Sequence, residues 1–172
     1  MEEIMGKVVQ DKLVKDKELS SYKPDYWGIY FGAHWAPPCR KFNDDLKTFY
    51  EAVNKGQEKK FFEVIFVSFD GNEAHFDRHY SQHPWLALPY ADEARVAALK
   101  VKFDLQELPT LAIVDPTGRI VKSNSRLDIP TAGEKAKELF AKWEGEYKQA
   151  QDKAAEEEEK KEWTQSVVVY VY

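Results

Sequence analysis

The sequence predicts an α/β fold in which a central mixed β-sheet is flanked by helices on both faces. Two apolar runs rich in β-branched and aromatic residues, Tyr26 to Gly32 (YWGIYFG) and Phe61 to Phe69 (FFEVIFVSF), enclose a stretch with helical periodicity. Two further helical patterns follow. A third apolar run, Thr110 to Val114 (TLAIV), then turns back on itself as a hairpin. Alternation followed by a hairpin implies a mixed sheet between helical layers.

Gly6 to Val14 reads as a short strand or hairpin arm. Tyr26 to Gly32 fits a strand buried on both faces, ended by Pro37 and Pro38. From Pro38 a helix runs to about Asn54, with Phe42, Leu46, Phe49, Tyr50 and Val53 on one face and Gly56 where a C-terminal glycine cap belongs. Asp70-Gly71-Asn72 is a turn able to cap a helix from Glu73 to about His83, which Pro84 stops. Another helix covers roughly Glu93 to Phe103. Asp115-Pro116-Thr117-Gly118 has proline and glycine where a tight turn needs them, and Arg119 to Ser123 is the returning arm. Thr131 and Glu134 have capping-box spacing and open a helix with Ala136, Leu139, Phe140, Trp143 and Tyr147 on one stripe.

Beyond Tyr147 the stripe fades. QAQDKAAEEEEKKEW is charged and alanine-rich, and the pairs Glu156 with Lys160 and Glu157 with Lys161 favour an exposed helix by roughly a few tenths of a kcal/mol each. The last seven residues, SVVVYVY (166–172), are uncharged, β-branched and aromatic, the composition of an adhesive strand. The organisation expected is a domain over 1–147 and, over 148–172, a charged helical extension with an apolar β-prone tail. That tail is a candidate for self-association or for a protein partner; a disordered tail or a strand exchanged with a neighbour are its plainer readings.

A chain of 172 residues with 43% hydrophobic residues can bury a sizeable core. A net charge of −5 argues against nucleic acid as a partner. One cysteine excludes an internal disulfide. MEEIMGKVVQDK lacks the apolar core of a signal peptide, and no apolar run approaches the ~20 residues that span a bilayer. The expectation is a cytoplasmic protein without a membrane partner.

The chemistry centres on GAHWAPPCRKF, Gly32 to Phe42, where the single cysteine stands at the mouth of a helix. A strand running into W-x-P-P-C-R at a helix start resembles the active-site layout of the thioredoxin-fold family, in its tryparedoxin and nucleoredoxin branch. FFEVIFVSFD, HPWLALPY, LPTLAIVD and the hairpin extend the resemblance over roughly Tyr26 to Arg126. The family pattern is W-C-P-P-C. The resemblance implies a thioredoxin-like fold and thiol-disulfide oxidoreductase chemistry, directed at a disulfide-bearing protein or a glutathionyl-type thiol. It implies that the first cysteine attacks as a thiolate stabilised by the helix N-terminus, and that the second resolves the mixed disulfide. Ala36 occupies the attacking position and Cys39 the resolving one. Alanine has no atom able to attack sulfur, so dithiol turnover is not expected in this chain. Two origins stay open: a family member whose attacking cysteine has been replaced, or a redox-inactive module that keeps the fold to bind within a larger assembly.

The resemblance also assigns a substrate surface. Trp35, Pro37 and Pro38 flank the site, although Trp35 could instead be a core aromatic. Leu108-Pro109-Thr110 matches the loop that carries a cis-proline beside the active site, where backbone groups pair with the substrate chain; the plainer reading is a proline that opens a strand. Arg126 stands after the hairpin, where tryparedoxins carry an arginine that helps hold a carboxylate-bearing glutathionyl substrate, a task suited to a bidentate guanidinium. Phe69 departs from the tryptophan that tryparedoxins often have.

His75, His79 and His83 are spaced i, i+4, i+8, a row whose neighbours could share a zinc ion; a solvated helix face is the preferred reading. His34, beside Trp35, could tune charge near Cys39, with a surface histidine the preferred reading, and Asp44-Asp45 and Glu156 to Glu159 read as solvated faces. No Gly-rich phosphate loop, Ser-His-Asp arrangement or HExxH occurs, so neither cofactor nor metal is expected.

Overall fold

At the centre lies a strand, β3 (Tyr26–Gly32), paired on both edges. The computed structural model describes residues 1–13 and 15–171, with the side chains of 169–171 left aside. Its elements in order are α1 (Glu2–Met5), β1 (Val8–Val9), β2 (Lys17–Glu18), β3, α2 (Pro37–Asn54), β4 (Phe62–Ser68), α3 (Glu73–Tyr80), β5 (Leu86–Ala87), α4 (Glu93–Lys102), β6 (Thr110–Val114), β7 (Ile120–Lys122) and α5 (Ala136–Val171). The main sheet has the order β5-β4-β3-β6-β7. β3 runs parallel to β4, with Tyr26 opposite Phe62 and Gly32 opposite Ser68, and antiparallel to β6, with Trp27 opposite Val114. β1 and β2 form a separate two-stranded ribbon.

Side-chain alternation along the strands divides the interior in two. Tyr30, Phe62, Val64, Phe66, Leu111 and Ile113 face α2, α3 and α5, where Leu46, Phe49, Phe76, Phe140 and Trp143 complete one core. Trp27, Ile29, Phe31, Ile65, Val67 and Ala112 face α1 and α4, where Met5 and Leu99 complete the other. Burial on both faces is why the central strands read as unbroken apolar runs.

Caps set most helix ends as their sequences suggest. Pro37 and Pro38 fill the first positions of α2, where a missing N–H costs nothing, and Gly56 takes φ +74° just beyond its end. Asn72 Oδ1 accepts from the His75 N–H at 2.9 Å to open α3. In the β6–β7 turn Asp115 O accepts from the Gly118 N–H at 3.0 Å, and Gly118 adopts φ +94°.

Several expectations change. Thr131 and Glu134 form no capping box: two short 3₁₀ turns, Ile129–Thr131 and Gly133–Lys135, precede α5, and Gly133 at φ +52° interrupts helical continuity between them. α3 ends at Tyr80 rather than His83, consistent with the bias of a pre-proline residue against helix. Of Gly6 to Val14 only Val8–Val9 is strand, with Gln10 making a single bridge to Ala87; Val14 lies outside the described residues. The β-prone tail continues α5 as helix to Val171, while Tyr172 lies outside the described residues. A strand needs a partner edge, whereas extending an existing helix needs only the next hydrogen bond. No helix among the described residues is long and apolar enough to cross a membrane.

α5 docks through its first third. Trp143 is fully buried and its Nε1–H donates to Asp128 Oδ2 at 2.8 Å. Glu144 accepts from Arg119 Nη2 at 2.8 Å and from the Tyr26 hydroxyl at 2.9 Å, joining helix, hairpin and sheet. From 148 to 168 every residue is exposed.

A methyl group at Gly28 of β3 would stand 2.6 Å from Phe62 Cζ and 3.1 Å from Leu111 Cδ1. Gly28→Ala is expected to destabilise the domain by ~1–3 kcal/mol through overpacking, read as a lower urea midpoint at unchanged slope.

Candidate active site

β3 delivers the chain to the site and α2 carries it away. Ala36 is the N-cap of α2 and is 8% exposed; Cys39, in the first turn, is 0% exposed and donates its N–H to Ala36 O at 3.0 Å. Trp35 is 65% exposed, which rules out the core-aromatic reading. Its indole Nε1–H donates to Phe69 O at 3.0 Å, so the ring is fixed to the end of β4 while its faces stay in solvent. Pro37 and Pro38 are exposed beside it.

The Leu108–Pro109 bond is cis, with Pro109 buried and Leu108 half-buried at the start of β6. Arg126 Nη1 lies 3.7 Å from Glu107 Oε1 and within electrostatic reach of Cys39. The fold thus brings Arg126 to the same end of the sheet as the Glu107–Pro109 loop and the first turn of α2.

Burial pushes the Cys39 thiol up. A backbone hydrogen bond from Ala33 and the Arg126 guanidinium pull it down, and the Asp70 carboxylate adds to the rise. Burial dominates, and Cys39 is a neutral thiol at pH 7 despite its place near a helix N-terminus.

Behind the thiol lies a buried polar row that sequence reading missed. The Tyr30 hydroxyl donates to Asn43 Oδ1 and lies 3.4 Å from Cys39 O. Asn43 Nδ2 meets His79 Nε2 at 2.9 Å, and His79 Nδ1 meets Asp70 Oδ2 at 3.3 Å. Asp70 Oδ1 accepts from the His34 N–H at 2.8 Å, and Oδ2 from the Ser68 hydroxyl at 2.6 Å. The available signal was a polar residue at an apolar position: Asn43 follows Phe42 on the buried side of α2, and His79 lies three residues after Phe76 on that of α3.

The histidines therefore do not form a solvated face. His75 is exposed, whereas His79 and His83 are fully buried. His83 packs edge-on against Phe66, with ring centroids 4.5 Å apart, and burial holds its imidazole neutral. His34 is half-buried rather than a surface residue, its ring 5.6 Å from that of His79. Among the described residues no group of three or more His, Cys, Asp or Glu is placed to hold a metal ion.

A family model described as thioredoxin-like matches residues 24–120. The chain belongs to the thioredoxin-like family. Its relatives lie in the nucleoredoxin and tryparedoxin branch. The domain is 40% identical to nucleoredoxin of Bos taurus over 112 residues, 65% of this chain and 25% of that protein, so it spans about a quarter of the nucleoredoxin. It is 40% identical to tryparedoxin of Trypanosoma brucei brucei over 102 residues, 59% of this chain and 69% of that protein. The solved structure of tryparedoxin II complexed with glutathionylspermidine superimposes with a TM-score of 0.66 at 34% identity, covering 74% of this chain and 90% of that one. The thioredoxin-like fold, its mixed sheet and its C-terminal helix agree with the expectation from sequence.

In this thioredoxin-like domain the raised thiol sets a pH signature. Only the thiolate is alkylated, and it accumulates above the ordinary thiol range. Iodoacetamide is expected to label Cys39 more slowly than a free cysteine at pH 7, to accelerate above pH 9, and to lose this lag in urea. Equal rates for folded and unfolded chain at pH 7 would contradict the burial.

Proposed function

We propose that this chain is an oxidoreductase-type module of the tryparedoxin and nucleoredoxin branch that keeps the substrate-facing surface and lacks the attacking thiol, so that dithiol turnover does not run. The supporting observation is the pairing of Ala36 at the mouth of α2 with a fully buried Cys39 one turn on. In the dithiol cycle a thiolate at position 36 attacks a substrate disulfide, one S–S bond forms, and the leaving sulfur departs as a thiolate. Cys39 then attacks the mixed disulfide, the substrate leaves reduced, and the two cysteines end oxidised as a disulfide. Alanine removes the first step.

In this reading Trp35, Pro37, Pro38, Leu108 and Pro109 form the contact surface for a disulfide-bearing protein or a glutathionyl-type thiol. Arg126 takes a substrate carboxylate, for which its present partner Glu107 is exchanged. No cofactor enters the scheme. A reducing compartment such as the cytoplasm suits an unpaired thiol.

Ala36→Cys is expected to confer dithiothreitol-dependent reduction of a glutathionyl disulfide that the parent chain does not catalyse. Cys39→Ser in that background is expected to trap the mixed disulfide, visible as a mass increase reversed by reductant. Absence of both would remove the oxidoreductase reading.

A second reading, a binding module without redox turnover, is favoured by α5. Its outer part is exposed at every residue from 148 to 168, with Trp163, Val167 and Val168 unburied. The full chain is expected to self-associate in reductant, measured by light scattering after size exclusion, and truncation after Glu162 to give a monomer. A full chain that stays monomeric at high concentration would end the self-association reading.

A further inference from the structure

The buried row behind Cys39 runs in one direction. The Tyr30 hydroxyl donates to Asn43 Oδ1, so the Asn43 amide nitrogen faces His79. That nitrogen can only donate, so His79 Nε2 must accept, and its remaining proton sits on Nδ1, facing Asp70 Oδ2. Every donor thus points toward the Asp70 carboxylate, and only one neutral tautomer of His79 satisfies the row. Asp70 in turn receives the His34 N–H, and the neighbouring Phe69 carbonyl receives the Trp35 indole. His34 is therefore anchored, through one carboxylate, to the imidazole of His79 on α3, and Trp35 to the backbone of the residue before that carboxylate.

We propose that His79 is a positioning residue for the redox end of α2, and that its second proton resets the row. This rests on the reading of position 36 and Cys39 as the redox end. A proton on Nε2 would confront the Asn43 Nδ2 donor. The Asn43 amide must then turn over, offering Oδ1 to His79 and Nδ2 to the Tyr30 oxygen. The Tyr30 hydroxyl loses its acceptor on Asn43 and turns to donate to the Cys39 carbonyl, already 3.4 Å away. At the other end the doubly protonated ring becomes an ion pair with Asp70 and offsets the carboxylate charge that bears on Cys39. One proton thereby changes the hydrogen bonding of the first turn of α2 and the charge beneath the loop that precedes it.

Groups from several elements face His79. Asp70, from the segment after β4, is an anion in hydrogen-bond contact. His83, from the turn after α3, is 4.7 Å away between ring centroids, and His34, from the loop before α2, is 5.6 Å away. Tyr30 on β3 reaches it through Asn43 of α2, and Phe66 of β4 presents an uncharged ring at 4.9 Å.

Glutamine separates its amide N and O much as imidazole separates its two nitrogens, so His79→Gln can keep both hydrogen bonds and cannot titrate. The test follows the backbone amide of His34 and the indole N–H of Trp35 by ¹H–¹⁵N NMR between pH 5 and 8, in the full chain. In the parent both signals are expected to move together with one midpoint. In His79→Gln both should stay near their parent high-pH positions with the pH step lost, and in His79→Leu both should be displaced at every pH. Flat signals in the parent, or an unchanged step in His79→Gln, would overturn the proposal. If His79→Leu fails to fold, the glutamine comparison still decides.

The consequence for chemistry is read in the Ala36→Cys background, from the pH profile of alkylation at position 36. His79→Gln should remove a component of that profile that coincides with the NMR midpoint, and an identical profile would contradict the coupling. These readouts need no disulfide reductase activity, so failure here is distinct from failure of the functional reading above.

Discussion

Asp70 is the carboxylate on which the site is hung. It stands just past the end of β4, in a 7% exposed position, and its side-chain oxygens are both occupied: Oδ1 by the His34 N–H, Oδ2 by the Ser68 hydroxyl and His79. Its backbone carbonyl accepts from the Tyr90 hydroxyl at 3.0 Å. Burial alone would push this carboxyl up, but the hydrogen bonds from His79, Ser68 and His34 outweigh it and hold it below the usual aspartate range. A group depressed in the folded state adds stability above its unfolded pKa and loses it as the pH falls through the folded value. The anion is therefore in place at neutral pH, and with it the bond that holds the His34 N–H.

Much of this was legible in the sequence, for identifiable reasons. β3, β4 and β6 are buried on both faces, so their apolar runs admit few other readings. The face of α2 follows from the spacing of Phe42, Leu46, Phe49 and Val53, and Trp35-Ala36-Pro37-Pro38-Cys39 places the site at the start of that helix. The cis Leu108–Pro109 bond was reached by resemblance rather than by pattern.

What escaped reading depends on pairing between distant segments. β1, β2 and β5 are two residues each, too short to carry a period, and exist because partner strands lie beside them. Asn43 and His79 look like surface residues by type, and their contacts with each other, with Tyr30 and with Asp70 make burial tolerable. Phe69 was weighed for its side chain, whereas its backbone carbonyl is what holds Trp35. The tail misled because β-branched residues suggest a strand by composition, while the helix already running through Trp143 needed no new neighbour to continue.

The outer part of α5 also gives the molecule a lopsided outline. From 148 to 171 the helix would extend ~36 Å at ~1.5 Å per residue, well past the last side chain that packs on the sheet. Such a particle tumbles as a rod with a weight at one end, so its rotational diffusion is slower about two axes than about the third. Because the shaft is anchored at Trp143 and Glu144 rather than through a loose linker, anything gripping its far end would be kept at a set spacing from the sulfur, as by a strut.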